Sequence, residues 1–193
     1  MRASQKTAIL DAALAVVSAQ EGADITLDAV ARRAGITKPG LMYHFPTREA
    51  LLLAIVEHAA TRVEAAMHEA LSEDGLTFEA ATPAQRVRAY ARVAASGHTS
   101  RAEYAVFTEA AYRPALTAPW TECMAAWFDL PTALPESQRA RLTLARLAAD
   151  GLWAAEATGV FPPDPADRTA VLALIDQLTD DHNRSTRQGG VAQ

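Results

Sequence analysis

The sequence predicts an all-α protein, with an N-terminal three-helix helix-turn-helix domain followed by a C-terminal helical-bundle domain. Two observations predict this fold class. The 193-residue chain is rich in Ala, Leu and Arg, which favour helix, and its apolar residues recur at the helical period. Threonine, glycine and proline interrupt these segments at positions typical of helix ends. The chain is long enough for one small module and one larger domain.

The first helix is predicted over about residues 4–19, with Gly22 as its stop signal. Its apolar residues share one side of the helix. Asp11 interrupts the apolar run, so we interpret this segment as an amphipathic helix and not as a signal peptide.

A helix-turn-helix motif is predicted over residues 26–48. The Thr26 hydroxyl can cap the first helix of the motif, and Gly35 suits the left-handed position after that helix. Thr37 can cap the second helix, where Pro39 is tolerated because the first-turn N–H has no helical partner. The second helix is short, from about Lys38 to His44.

A long helix is predicted from about Arg48 to Leu71, capped by Thr47. At about six turns it is longer than a three-helix module needs, so we expect it to connect the two domains. Further helices are predicted over about 83–95, 101–112, 118–128, 136–158 and 166–181. In this prediction Pro114 ends the helix before it, and Ala118-Pro119 begins the next.

The exposed side of the short second helix suits the major groove of double-stranded DNA. It combines small residues with one cation and one aromatic hydroxyl, which can contact base edges and phosphates. An ordinary solvated helix pair is the alternative interpretation. The candidate DNA-binding residues are Thr26, Thr37, Lys38, Pro39, Gly40, Tyr43, His44 and Arg48.

The motif resembles the TetR family of transcriptional regulators. The resemblance rests on ITLDAVA at 25–31, AGITKPGLMYHF at 34–45 and REALL at 48–52, which occur together and in register. LAADGLW at 147–153 is also similar to a helix in one branch of that family. The resemblance implies a DNA-reading domain and an all-helical, ligand-responsive regulatory domain.

Aromatic and methionine side chains in the C-terminal part form a second candidate site. Trp120, Met124, Trp127 and Phe128 share one face of one predicted helix. They are either a pocket wall for a small, largely apolar molecule or simple core packing. The candidate ligand-binding residues are Met67, Tyr90, Phe107, Trp120, Met124, Trp127, Phe128 and Trp153.

The last two long helices are predicted to form a homodimer interface across a two-fold axis. The final helix is apolar over a wide arc, and Gly151 in mid-helix favours close helix approach. Burial within one subunit is the alternative. The candidate dimer-interface residues are Leu144, Leu147, Gly151, Leu152, Val171, Leu174, Ile175 and Leu178.

Composition and spacing argue against several other classes of protein. The five histidines show no metal-ligand spacing, and we find neither a catalytic constellation nor a phosphate loop, so we expect no cofactor, no metal and no enzyme activity. No apolar run reaches the length of a membrane span. A single cysteine, Cys123, fits the reducing cytoplasm and is interpreted as a small core residue rather than a redox sensor.

The net charge of −5 is unevenly distributed. Residues 1–50 carry six basic and five acidic side chains, whereas the remaining residues carry 12 basic and 18 acidic ones. Positive charge therefore concentrates near the proposed DNA face, and the acidic remainder would stay away from DNA.

Together these features predict a DNA-binding domain over 1–47, a regulatory and dimerisation domain over 48–182 and a disordered tail over 183–193. The expected function is that of a homodimeric transcriptional regulator, a repressor released from a palindromic operator by a small-molecule effector. The alternatives are a ligand-independent architectural DNA-binding protein and, as a third reading, an enzyme built on the same fold.

Overall fold

The computed structural model describes residues 4–19, 25–96, 101–111 and 113–180. Within these ranges the secondary structure is entirely helical, which confirms the predicted fold class. No helix in them is both long enough and apolar enough to cross a membrane. The helices are α1 (Gln5–Ala19), α2 (Leu27–Ala34), α3 (Lys38–His44), α4 (Arg48–Glu73), α5 (Pro83–Ala95), α6 (Arg101–Ala111), α7 (Pro114–Phe128), α8 (Glu136–Thr158) and α9 (Pro165–Leu178).

The caps predicted in the helix-turn-helix motif are present. Thr26 Oγ1 accepts a hydrogen bond from the Ala29 N–H at 3.2 Å, and Thr37 Oγ1 accepts from the Gly40 N–H at the same distance. Gly35 ends α2 in the left-handed conformation, with φ of 68°. These local contacts set the boundaries of α2 and α3.

The chain divides into two compact units. One contains Met1–Ala65 and Thr99–Ala126, and the other contains Ala66–His98 and Trp127–Gln193. We call them unit 1 and unit 2. Unit 1 therefore holds the helix-turn-helix together with the start of α4, with α6 and with most of α7. These units describe packing, so the functional division between residues 47 and 48 stays a prediction.

The predicted start of α7 was wrong. Pro114 does not end the helix before it but begins α7, and Pro119 lies inside that helix. A proline is tolerated at a first helical position because its missing N–H has no partner there. The additional turn carries Leu116, which is 2% exposed in the core of unit 1, and this burial favours the longer helix.

Helix α9 ends at Leu178, three residues before the predicted end at Asp181. The guanidinium groups of Arg88 and Arg141 donate to the carbonyl oxygens of Thr179 at 2.7 Å and of Leu178 at 3.1 Å. These bonds satisfy the last carbonyl groups and stop the helix. The predicted tail over 183–193 lies outside the described residues.

Candidate functional site

Burial of one side of α3 determines which of its residues face outward. Leu41 is fully buried, and Phe45 follows it into the core of unit 1. Tyr43 consequently points away and is 86% exposed, while Met42 is also exposed. His44 packs edge-on against the Tyr43 ring, with centroids 5.3 Å apart. Among the predicted α3 residues, Lys38, Pro39 and Tyr43 are exposed, and Gly40 and His44 are half-buried.

The N-terminal turn of α3 is tightly built around Thr37. A Cβ on Gly40 would lie 3.2 Å from the Thr37 hydroxyl oxygen, so the cap leaves little room for a larger residue there. Pro39 is exposed in the same turn. Because Gly40 has no side chain and Pro39 has a compact one, a ligand can approach the backbone at the N-terminal end of α3 closely.

Lys38 is exposed and forms an ion pair with Asp28 of α2, with Nζ and Oδ2 2.8 Å apart. An exposed pair of this kind contributes about 0–1 kcal/mol, so a stronger anion can displace the Asp28 carboxylate at little cost. The sequence alone did not predict this pairing. It keeps the ammonium group beside the surface that α3 presents.

Arg48 has a structural contact that the sequence did not predict. Its Nε donates to the Ile25 carbonyl oxygen at 2.9 Å, and its side chain is partly buried. This bond ties the start of α4 to the residue before the Thr26 cap. Arg48 therefore positions the helix-turn-helix, whatever else its guanidinium contacts.

Within unit 1, two of the candidate ligand-binding residues form a partly accessible aromatic pair. The rings of Phe107 in α6 and Trp120 in α7 lie 5.6 Å apart, and both are half-buried. One turn before Phe107 on α6, Glu103 is 3% exposed and lies 4.0 Å from an Arg62 guanidinium nitrogen. Met124 is buried. An acidic group thus lies close in sequence to an aromatic surface.

In unit 2, Trp127 is packed as a core residue. It is 1% exposed, and its ring meets the rings of His68 at 4.9 Å and Phe78 at 4.8 Å. Met67 and Trp153 are also buried. These contacts favour the core-packing interpretation for Trp127, whose replacement by alanine would leave a cavity.

A polar network in unit 2 surrounds Tyr90, another candidate ligand-binding residue. Its hydroxyl donates to Asp150 Oδ1, and Arg146 Nη1 donates to Asp150 Oδ2 at 2.8 Å. Burial raises the pKa of the Asp150 carboxyl, and burial together with the nearby Asp150 charge raises the pKa of Tyr90 well above its usual range. Phe128 completes the cluster, with its ring 4.8 Å from that of Tyr90.

Arg146 and Asp150 were not among the predicted site residues. Their spacing of four residues on one helix is the signal that could have identified the pair. Arg146 also lies over the Phe128 ring, 5.4 Å from its centroid. Beside this ring a cavity of about 240 Å³ is lined by Val87, Phe128, Leu130, Leu142, Thr143 and Arg146.

The candidate dimer-interface residues divide into an outward and an inward set. Leu144, Leu147 and Leu174 are 55%, 51% and 56% exposed. Apart from its chain neighbours and the adjacent backbone of α8, a Cβ on Gly151 would meet no atom of the described residues within 4 Å, so packing within that part of the subunit does not require a glycine there. Val171 and Leu178 are half-buried.

Leu152 and Ile175 do not belong to the proposed interface. They are 5% and 2% exposed and lie within the subunit. A helix that packs on its neighbours must turn one stripe inward, and Leu152 and Ile175 occupy that stripe on α8 and α9. The sequence pattern alone could not separate the two stripes, because both are apolar.

Metal binding finds no support in the described part of the chain. It contains no group of three or more His, Cys, Asp or Glu residues arranged to hold a metal ion. His58 instead pairs with Asp11, with Nε2 and Oδ1 2.7 Å apart. This contact joins α4 to α1 within unit 1.

Two family profiles match the chain. One, described as bacterial regulatory proteins of the tetR family, matches residues 9–55. The other, described as the tetracyclin repressor-like C-terminal domain, matches residues 84–180, which is half of the chain.

Among known proteins, the chain is similar to the HTH-type transcriptional regulator EthR of Mycolicibacterium smegmatis (strain ATCC 700084 / mc(2)155), with 25% identity over 142 residues. The match covers 71% of this chain, and it spans 62% of the length of that protein. A TetR-family regulator from Rhodococcus sp. has a similar fold, with a TM-score of 0.65 at 20% identity over 92% of this chain and 100% of that one. The multidrug binding protein EbrR, crystallised with ethidium, has a TM-score of 0.58 at 23% identity, over 92% of this chain and 99% of that one.

The environment of Cys123 predicts an unreactive thiol. Burial, with a hydrogen bond of 3.2 Å to Glu64 Oε2, raises its pKa to about 12. Because the thiolate is the reactive form, we expect alkylation by iodoacetamide at pH 8 to be about a thousandfold slower than that of an ordinary exposed cysteine. The rate can be measured by mass spectrometry.

The matched control is Thr121→Cys in a Cys123→Ser background, since position 121 is exposed on the same helix. Glu64→Gln should recover part of the reactivity of Cys123, because it removes the negative charge that disfavours the thiolate. Equal rates for Cys123 and the control cysteine would contradict the prediction.

Proposed function

Because the chain belongs to the TetR family of bacterial regulatory proteins, we propose that it is a transcriptional regulator that binds a specific double-stranded DNA site as a homodimer. The observation that carries this proposal is the surface of α3, where a capped, core-anchored helix presents Tyr43 almost fully exposed. A tyrosine this exposed contributes little buried area to the subunit. Such a protein would act in the cytoplasm, where bacterial DNA lies.

On DNA, α3 would lie in the major groove. Lys38 would exchange Asp28 for a guanine edge or a phosphate, and the Tyr43 hydroxyl would donate to a phosphate while its ring packs on the sugar. Thr37, Gly40 and His44 would line the same groove. Arg48 would contribute chiefly by holding α4 against Ile25.

The proposed homodimer uses the exposed stripes of α8 and α9. At the α8 positions Ala140, Leu144, Leu147 and Gly151 the exposed side chains carry no charge. Leu174 continues this surface onto α9, which packs against α8. An uncharged surface with three half-exposed leucines gains stability when a second copy covers it. A two-fold dimer would also match a palindromic operator.

We infer that the protein is a repressor whose small-molecule effector contacts the Phe107–Trp120 pair. Trp120 packs against the core of unit 1, and α6 packs against α1 in that same unit. A ligand that inserts between these rings would shift α6 and, through the shared core, the helix-turn-helix. Release would follow if the ligand prefers the conformation with the weaker DNA affinity.

Replacing Lys38 tests the DNA surface. Binding to an inverted repeat upstream of the protein's own gene should weaken in Lys38→Ala by about 1–3 kcal/mol if Lys38 meets a base edge. If Lys38 instead contacts a phosphate, the slope of binding against salt concentration should decrease by about one unit. Tyr43→Ala should weaken binding to operator and random duplex alike, because a phosphate contact carries no sequence information.

Arg92→Ala is the matched control for this experiment. Arg92 is a similarly exposed cation that pairs with Asp74 at 2.7 Å, but it lies in unit 2. The DNA affinity of Arg92→Ala, and the slope of its binding against salt concentration, should equal those of the parent protein. Unchanged binding in both Lys38→Ala and Tyr43→Ala would exclude α3 as the DNA-reading helix.

Replacing Leu174 tests the dimer. Leu174→Glu should yield monomers by light scattering, because a charge cannot be buried unpaired in an apolar interface. Its circular dichroism should stay helical, since position 174 is exposed in the subunit. Ala125→Glu, at an exposed position of α7, is the control and should remain dimeric. A dimeric Leu174→Glu would show that the interface lies elsewhere.

Ethidium is a suitable probe of the effector site, because it is a planar aromatic cation and is the ligand in an EbrR crystal structure. We expect it to quench tryptophan emission of the DNA-free protein. It should also stabilise the fold by about 2.7 kcal/mol at a hundredfold excess over its Kd. Operator affinity should then fall by the factor by which the operator lowers ethidium affinity.

Phe107→Ala provides the control, because it removes one ring of the proposed site and leaves α3 intact. Ethidium is a planar cation and also inserts between the base pairs of DNA. An ethidium-induced loss of operator binding therefore supports the effector site only if the loss is greater for the parent protein than for Phe107→Ala. Ethidium binding without this difference would favour a ligand-independent architectural DNA-binding protein. Chemical turnover of ethidium would favour an enzyme.

A further inference from the structure

A cavity of unit 2 is lined by apolar side chains together with one charged group. Its volume is about 240 Å³, and its walls come from α5, the end of α7, the segment after α7, and α8. Val87 and Leu142 are buried, whereas Thr143 is exposed, so solvent reaches the cavity beside Thr143. Arg146 provides the charge. The lining residues are Val87, Phe128, Leu130, Leu142, Thr143 and Arg146.

We propose that this cavity binds a small aromatic carboxylate, whose carboxylate group accepts hydrogen bonds from the Arg146 guanidinium while its ring lies between the apolar walls. All six lining residues belong to unit 2. The site is therefore different from the effector site proposed at Phe107 and Trp120 in unit 1, and it does not depend on that assignment.

Arg146 has hydrogen-bond donors that the subunit does not use. A guanidinium group carries five N–H donors. Nη1 donates to Asp150 Oδ2 at 2.8 Å, whereas Nε and Nη2 have no acceptor among the described residues. The edge formed by Nε and Nη2 matches the two oxygens of a carboxylate and can hold it in two charge-assisted hydrogen bonds. Because Arg146 lines the cavity, a ligand inside can reach this edge.

The orientation of the guanidinium is set by contacts within the subunit. Arg146 lies over the Phe128 ring, 5.4 Å from its centroid, and Phe128 packs edge-on against Tyr90 with ring centroids 4.8 Å apart. Asp150 holds Nη1 from the next turn of α8. Arg146 therefore loses little side-chain entropy when a ligand binds, which favours affinity.

The size and the chemistry of the walls favour a single aromatic ring. The volume of about 240 Å³ exceeds the roughly 150 Å³ that accommodates benzene in an apolar cavity. It is smaller than the roughly 300–1,000 Å³ typical of sites for drug-sized ligands. Four of the lining side chains are apolar and none is acidic. A carboxylate on such a ring therefore meets one cation and no negative charge in the lining.

Asp150, which shares the guanidinium with the ligand, makes binding depend on pH. Asp150 accepts from the Tyr90 hydroxyl on Oδ1 and from Arg146 on Oδ2. Burial raises the pKa of the Asp150 carboxyl, and Tyr90 and Arg146 are the ionisable side chains that act on it among the described residues. A second carboxylate on the same guanidinium raises this pKa further, because like charges repel. Ligand binding therefore takes up protons, and the affinity should increase as the pH falls.

Isothermal titration calorimetry with benzoate tests the site in the full-length protein without DNA. Benzamide has the same ring without the charge, and acetate has the charge without the ring. Benzoate should bind at least about tenfold more tightly than either, because it alone uses both the guanidinium and the apolar walls. Binding of benzamide or acetate as tight as that of benzoate, or no binding of benzoate, would overturn the proposal.

Replacing Arg146 locates the carboxylate. Arg146→Met should weaken benzoate binding by at least about tenfold, because it keeps an apolar side chain and removes the charge. The matched control is Arg92→Met, since Arg92 is another cation of unit 2 that pairs with an aspartate, Asp74, at 2.7 Å but does not line this cavity. Arg92→Met and Phe107→Ala should bind benzoate like the parent protein. A greater loss in either of them than in Arg146→Met would place benzoate elsewhere and overturn the proposal.

Asp150→Asn separates the proposed role from damage to the fold. Asparagine keeps the size of the side chain and removes the charge that competes for Arg146, so benzoate should bind more tightly than to the parent protein. The affinity should also no longer increase between about pH 8 and pH 6, as it should in the parent protein. Circular dichroism should show that the variant stays helical. Weaker benzoate binding by a folded Asp150→Asn, or an unchanged pH dependence, would overturn the sharing of Arg146 between Asp150 and the ligand.

Discussion

The structure depends on the burial of one side of α3 in the core of unit 1. A helix of seven residues is not stable in water by itself, because the free energy needed to nucleate it exceeds the stabilisation from its few hydrogen bonds. Leu41 and Phe45 hold it in place, and each buried side chain of this size contributes about 1.5–3 kcal/mol. The outward direction of Tyr43 is a consequence of this burial.

The same core explains how a distant ligand could act on α3. It includes Ala102 and Val106 of α6 and Leu116 of α7, together with Leu51 of α4. The helix-turn-helix therefore shares its interior with helices that follow it by some 60 residues in the sequence. Close-packed interiors transmit small displacements, so a change at α6 cannot be confined to that helix.

In unit 2, α8 has two chemically different sides. One side is fastened by polar contacts, with Asp150 accepting from Tyr90 of α5 and Arg141 capping the end of α9. The other side is uncharged and exposed around Leu147 and Gly151. These polar contacts fix the orientation of α8 and so determine which of its residues remain exposed.

Local chemistry could be predicted from the sequence, because caps and turns depend on a few neighbouring residues. Thr26, Gly35 and Thr37 delimited α2 and α3. Prolines were less informative, since Pro114 and Pro119 are both compatible with a helix start and only the burial of Leu116 distinguishes them. The family resemblance likewise rested on a contiguous motif.

Contacts between residues far apart in the sequence required the tertiary structure. The bond from Arg48 to Ile25, the pairing of Lys38 with Asp28 and the exposure of Phe161 depend on how helices pack, which hydrophobic periodicity does not specify. Periodicity shows that α8 and α9 have apolar residues, but not which stripe faces inward. Thus the sequence by itself determined the helices, most of their ends and the family. The tertiary structure decided which side chains remain accessible, because burial depends on every neighbour that packs against a residue.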